Sequence, residues 1–310
     1  MDRVTTFSAY SSVISNLLQA ENNQNQADVQ VSSGKVASDL KGFGANAEAL
    51  TAAQALKTRV SGYVNTATSV SSQLTAQDTA LTEVSDAGQS ARQAIAAAVA
   101  GGSSNGLMAS LQSAFSQAVD GLNTQYNGSY LFAGGKVSTA PVSAQTLQQL
   151  APPAVVSFNN DQLASSVQLN ETTKVPTGML ASDIGTPLFQ AFQAVAALNA
   201  GPNGPLSGPL TTAQQTALTT LMQTFDTANS GLTETTAQNG LVQNQVDAIK
   251  FAQTQRQTDL ITTIGDMANV DMGQASAQLS QSQTALQASA RVFESLQSTS
   301  LLNFLTGSGG

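Results

Sequence analysis

The chain of 310 residues has no cysteine, no histidine and no tryptophan. Without cysteine, neither a disulfide framework nor a thiolate metal site can form. Without histidine, the common acid–base, nucleophilic and zinc arrangements are excluded, and no cofactor is implied. Charge is sparse as well. Asp, Glu, Lys and Arg make up 10% of the residues, against about 25% in an ordinary soluble protein. The 11 basic residues are scattered singly through a chain of net charge −8, so no nucleic-acid partner is expected. No apolar run approaches the roughly 20 residues that span a bilayer, and membrane insertion is not expected either. The first residues, Met1-Asp-Arg-Val-Thr-Thr-Phe7, lack the three regions of a cleavable signal. That leaves a cytosolic protein, or one exported by a route that reads no such signal.

Proline is absent from both ends. All eight prolines fall between Pro141 and Pro209. Proline removes a backbone donor and clashes with the preceding turn, so long helices exclude it. Two Pro-free flanks around a Pro-containing middle predict two helical arms, distant in sequence, that enclose an inserted module.

The arms carry heptads. From Ala53 to Ala98 one line runs Ala53, Val60, Ala67, Leu74, Leu81, Gly88, Ile95. A second runs Leu56, Tyr63, Val70, Gln77, Val84, Ala91, Ala98. Two such lines offset by three residues are the seam of a helix packed on other helices. Gly88 and Gln77 are its weak points. Gly101-Gly-Ser-Ser-Asn-Gly106 stops the helix, and a second follows with Leu107, Leu111, Ala114, Ala118 and Leu122 on one face. An antiparallel helical hairpin is expected. In the C-terminal arm, Leu218, Phe225, Leu232, Val246, Leu260 and Met267 share one line, broken by Asn239 and Gln253. Leu221, Ala228, Val242, Ile249 and Val270 share the other. A helix from about Thr211 to Ile264 is implied. The phase then slips near Gly265–Gly273, where Met272, Leu279, Leu286 and Phe293 begin a new line. The N-terminal arm has a matching break: residues 4–33 read as a helix with Val13, Leu17, Ala20, Ala27 and Val31 on one face, then Gly34, Gly42 and Gly44 interrupt it.

The expected fold is mainly α, an elongated antiparallel bundle or coiled coil built from both termini with a small β-containing insert. Residues 1–44 and 265–310 would be terminal helices, 45–136 and 209–264 a helical rod, and 137–208 the insert, facing solvent. Within the insert, Val155–Phe158 and Ser166–Asn170 are strand candidates, and Phe189, Phe192, Val195 and Leu198 mark one short amphipathic helix. Catalytic chemistry finds little support there. Asp161, Glu171 and Asp183 are the candidate acids and Lys174 the one paired cation. Phe132-Ala-Gly-Gly-Lys-Val137 superficially resembles a phosphate loop, but it lacks the first glycine and the Ser or Thr after Lys136. Asn127-Gly-Ser129 and Asn170-Glu-Thr172 match the glycosylation sequon, and both read better as turns. The chain does not read as an enzyme.

Several segments resemble the bacterial flagellin superfamily, whose heptad-patterned termini pair around a variable middle. Val31-Ser-Ser-Gly-Lys35 is similar to the "LSSGKR" segment after the first terminal helix. Asn127-Gly-Ser-Tyr-Leu-Phe-Ala-Gly-Gly-Lys136 followed by Thr139-Ala-Pro141 resembles the "GxYIFAGxKTxTxPF" segment of the hook-associated protein 3 family, which joins hook to filament. Gln283-Thr-Ala-Leu-Gln-Ala-Ser-Ala-Arg-Val-Phe293 and Ser300-Leu-Leu-Asn-Phe-Leu305 resemble that family's ending. The likeness covers about residues 1–140 and 210–306. It departs at Ser38-Asp-Leu-Lys-Gly-Phe-Gly-Ala-Asn46, where the family's turn carries two adjacent acids and this chain has one.

The resemblance implies an extracellular structural subunit of the flagellum, exported without a cleaved signal. It would polymerise through paired terminal helices, with a filament flagellin as the alternative. Implied partners are other copies, the hook-side junction protein, flagellin and an export chaperone. The residues expected to carry assembly are Val13, Leu17, Leu279, Leu286, Phe293, Leu296, Leu301, Leu302, Phe304 and Leu305. An apolar C-terminal cluster on an otherwise polar chain needs a surface to cover it.

Overall fold

The computed structural model describes residues 2–306; the side chains of residues 2–7, 9, 10, 296, 297 and 299–306 lie outside that description. Six α-helices dominate: α1 (Asp2–Ser33), α2 (Ala47–Gly101), α3 (Leu107–Leu122), α4 (Ala181–Ala200), α5 (Thr212–Ala268) and α6 (Met272–Thr306). Two small antiparallel hairpins lie in the middle of the chain, β1 (Gln125–Tyr126) with β2 (Ser129–Tyr130) and β3 (Ser166–Gln168) with β4 (Lys174–Pro176). Among the described residues no helix is long and apolar enough to cross a membrane. By its contacts the chain divides into two units, Val60–Gln255 and the residues flanking that span on both sides.

In Val60–Gln255, α2 and α5 run antiparallel. Asn239 Nδ2 and Gln243 Nε2 both donate to the Leu74 carbonyl at 3.0 Å, and Arg92 Nε pairs with Asp226 Oδ1 at 3.0 Å. Both heptad lines of α2 from Val60 onward are buried or half-buried. Their weak points have structural reasons. A Cβ at Gly88 would run into the Asn229 carboxamide of α5 and come within 3.1 Å of Leu188 in α4, so the missing side chain lets three helices converge. Gln77 is fully buried and donates to the Thr177 carbonyl at 3.0 Å. Asn239, a break in the α5 line, is also fully buried, because its amide finds the Leu74 carbonyl. α3 folds back on α2: a Cβ at Gly121 would lie 2.7 Å from Val84 and 3.1 Å from the Ala80 carbonyl. The expected hairpin is present.

The middle of the chain is less separate than its composition suggests. α4 begins at Ala181 and contains Pro187, so it is longer than the one short helix expected. Its inner face is core, not solvent. Phe192 stacks edge-on with Phe115 of α3 and Phe225 of α5 at centroid distances of 5.4 and 5.1 Å, and Phe189 meets Phe115 at 5.2 Å. The β3–β4 hairpin buries Leu169 and Val175 against Ala67, Val70 and Leu74 of α2 and Val246 of α5. Ser166–Gln168 is a strand as expected, and its partner is Lys174–Pro176 across the Asn170 turn. Val155–Phe158 is not a strand. Its flanking carbonyls are taken by side chains, as when Gln193 Nε2 binds the Ala154 oxygen at 2.7 Å, and Phe158 packs on Phe189 at 5.4 Å. A segment held by side chains has no need of a ladder.

Candidate assembly surface

α1 and α6 pack along one another as an antiparallel pair. Along α1 the covered positions are Val13, Leu17, Ala20, Gln24, Ala27 and Val31; along α6 they are Ala275, Leu279, Ser282, Leu286, Ser289 and Phe293. Each set steps by four and three, the spacing of a two-helix seam. The seam is thin. Only Ala20, Ala27, Ala275 and Ser282 are buried, while Val13, Leu17, Leu279, Leu286 and Phe293 are half-covered. Small side chains in the central layers bury little apolar area, and each buried methylene contributes only about 0.8 kcal/mol.

The pair therefore leaves much of its apolar surface open. Ile14, Leu18, Val29 and Val292 are exposed beside the seam, Leu18 at 53% and Val292 at 50%. Charge does not guard this surface: Asp2, Arg3, Glu21 and Asp28 are the charged residues of α1, and Arg291 and Glu294 those of α6. Five of the ten residues expected to carry assembly, Val13, Leu17, Leu279, Leu286 and Phe293, come together in the seam. Leu296, Leu301, Leu302, Phe304 and Leu305 continue α6, but their side chains lie outside the described residues. The sequence reading missed Ile14, Leu18, Val29 and Val292. Ile14, Leu18 and Val292 lie one position from the seam and Val29 two, where an amphipathic helix needing one partner would be polar.

The breaks in the two arms meet. Val36 donates its N–H to the Ala268 carbonyl at 2.9 Å, and Val270 donates to the Gly34 carbonyl at 3.0 Å, a small antiparallel bridge. Lys35 Nζ adds a 2.6 Å bond to Asn269 Oδ1, and Gln30 Nε2 caps the Val36 carbonyl at 2.9 Å. Gly34 sits at φ +66°, which only glycine adopts without strain. The turn with a single acid keeps its Asp39, whose carboxylate accepts the Gly42 N–H at 2.8 Å and starts a short 3-10 helix, Leu40–Asn46.

The family description of the bacterial flagellin N-terminal helical region matches residues 4–136, and that of the flagellin C-terminal helical region matches residues 222–305. The chain belongs to the bacterial flagellin family. Flagellin-family proteins are structural components of the extracellular flagellum that self-assemble and join its other axial proteins. The fold is similar to that of two solved flagellar structures. One, from Vibrio parahaemolyticus and assigned as a flagellar hook-associated protein, is 18% identical, with TM-score 0.60 over 74% of this chain and 99% of that one. The other, Bacillus cereus FlgL, is 15% identical, with TM-score 0.54 over 69% of this chain and 98% of that one. No curated protein matches the chain by sequence.

In this flagellin-family chain the Phe132–Lys136 segment is an anion-receiving turn that its own carboxylate fills. Asp161 Oδ1 accepts the N–H groups of Gly135 at 2.8 Å and Leu163 at 3.0 Å. A Cβ at Gly135 would lie 2.7 Å from the Asp161 carboxylate and push it away from this turn. The phosphate-loop reading loses its N–H donor to Asp161. The Gly135 N–H, then the Leu163 N–H and the nearby Lys136 charge, hold the Asp161 carboxyl below its usual range against a small opposing effect of desolvation. A depressed carboxylate pKa contributes stability that is present above the unfolded value and lost as pH falls through the folded one. Amide NMR should therefore show the Gly135 resonance moving below about pH 4. Asp161→Asn should remove that titration at every pH. Glu171 and Lys174 flank the Asn170 turn, where Asn170 Oδ1 accepts the Thr173 N–H at 2.6 Å, and Asp183 lies in the first turn of α4. These groups serve turns and a helix end.

Proposed function

We infer that the chain is the hook–filament junction subunit of a bacterial flagellum, with no enzymatic role. The observation that carries this reading is the Asn127–Lys136 segment. It resembles the junction family in sequence and supplies the turn and second strand of the β1–β2 hairpin, followed by the Gly134–Gly135 turn on Asp161. The similarity in fold to two solved structures, of a hook-associated protein and of FlgL, supports it.

Residues 1–44 and 265–310 would be the assembly layer, and 45–136 with 209–264 the rod that carries 137–208. The physical mechanism follows from the thin α1–α6 seam. A pair whose central layers are Ala, Gln and Ser gains little by closing on itself, so ordering its two helices is barely offset in the free chain. Export through a narrow channel then needs little unfolding at the termini. At the growing end, neighbouring copies and the hook-side junction protein cover Ile14, Leu18, Val29, Val292 and the half-covered seam residues. An export chaperone would protect the same surface before that.

Deleting the gene tests the assignment. A junction subunit, once lost, leaves hooks without filaments and flagellin shed into the medium. Intact junctions with a shortened or absent filament of this chain would instead make it a filament flagellin.

A further inference from the structure

A groove of about 610 Å³ opens in Val60–Gln255 between one face of α2, the β1–β2 hairpin and the start of β3. That volume falls in the range of small-ligand sites, about 300–1,000 Å³. α2 contributes Asn65, Ser69 and Gln73; the hairpin contributes Tyr126, Ser129 and Tyr130. Among the described residues, none of these six side chains hydrogen-bonds to another group of the chain. Val70, Leu131 and Val167 supply apolar wall, and no charged residue lines the groove.

We propose that this groove binds a short, uncharged oligosaccharide. A sugar presents an apolar C–H face beside a rim of hydroxyls. Tyrosine rings suit the first, since each offers a rigid apolar face with a polar tip. Carboxamides and hydroxyls suit the second, because each can both donate and accept. Anionic and cationic ligands find no counter-charge. An added peptide strand finds little free edge: the Tyr130 N–H is already bound to the Val137 carbonyl at 2.8 Å, and β3 is three residues long. The site uses no residue of the α1–α6 pair, although Ser129 and Tyr130 belong to the segment on which the junction reading rests.

The test titrates the full chain with maltotriose, cellotriose and chitotriose, with sialyllactose as the charged control, by calorimetry and by intrinsic fluorescence. The chain has four tyrosines and no tryptophan, so emission reports on tyrosine alone. At least one neutral trisaccharide should bind at millimolar concentration or below and change that emission. Tyr130→Ala should weaken binding about tenfold or more, and so should Ser69→Trp, which fills the groove from an exposed helix position and is read by calorimetry because its indole would dominate the emission. Both variants should unfold at the wild-type temperature. The proposal is overturned if no neutral trisaccharide binds, or if binding survives both substitutions. It is overturned equally if hydrogen exchange shows the groove amides covered by a second copy of the chain once it is assembled on hooks.

Discussion

Replacing Phe192 with alanine should lower the stability of the Val60–Gln255 unit by about 3–5 kcal/mol. Phe192 is fully buried, and its ring meets Phe115 and Phe225 from two other helices. Removing it deletes a large apolar side chain and leaves a cavity that three helices must collapse to fill. The site is stiff, because α2, α3, α4 and α5 all contribute to one core. For a unit of this size the midpoint of thermal unfolding should drop by about 2–4 °C for each kcal/mol. The position matters because Phe192 lies in the Pro-containing middle. Were 137–208 a detachable module facing solvent, the substitution would loosen α4 and leave the melting of α2, α3 and α5 unchanged. One cooperative transition shifted as a whole is expected, followed by circular dichroism. Excising 137–208 should accordingly prevent this unit from folding.

The second large effect concerns assembly. The double substitution Leu286→Asp and Phe293→Asp should abolish incorporation onto isolated hooks while leaving the Val60–Gln255 unit folded. Both residues sit on the α6 side of the seam and both are half-covered by the chain itself. A carboxylate can stay hydrated there in the free chain, so folding of the rest is spared. Covering that carboxylate with a neighbouring copy would strand a charge in an apolar contact, which costs several kcal/mol, of order 2–7 even for a neutral polar group. Electron microscopy of hooks mixed with the purified variant reads the result directly. Normal docking by a folded variant would remove these residues from the interface.

Much of the architecture was legible because the long helices obey a strict seven-residue rule. The lines through Leu74 and Val84, and through Phe225 and Leu232, mark positions that the structure buries. The α3 hairpin was legible because Gly101–Gly106 is unambiguous punctuation. Polar residues at seam positions misled, since pattern alone cannot tell a break from a buried amide that has found a carbonyl, as Asn239 finds Leu74. The second line of α6 was hidden for a different reason. Ala275, Ser282 and Ser289 are small enough to face either a partner or water. The middle of the chain was least legible. Pro187 argued against extending the expected helix back to Ala181, and the burial of α4 depends on Phe115 and Phe225, distant in sequence. Val155–Phe158 has strand-like composition, yet its carbonyl neighbour is claimed by Gln193.

Of the candidate assembly surface, the sequence showed the two helices and five residues that the structure brings together in the α1–α6 seam; their role in assembly is the proposal made above. Leu17 and Phe293 were visible as apolar residues on a polar chain. Their partial use inside the chain was not visible, because that required knowing that α1 and α6 pair. The exposed Leu18 and Val292 show that the pair, once formed, still presents apolar surface on its flanks.

The most direct measurement is hydrogen exchange on the free chain and on the chain docked to hooks. Amides of Val13–Val31 and Ala275–Phe293 should exchange quickly in the free chain, while those of Leu74–Ile95 are strongly protected, and docking should slow the first two sets markedly. Strong protection of both terminal segments in the free chain, unchanged by docking, would contradict an account in which neighbouring copies complete a seam the single chain leaves thin.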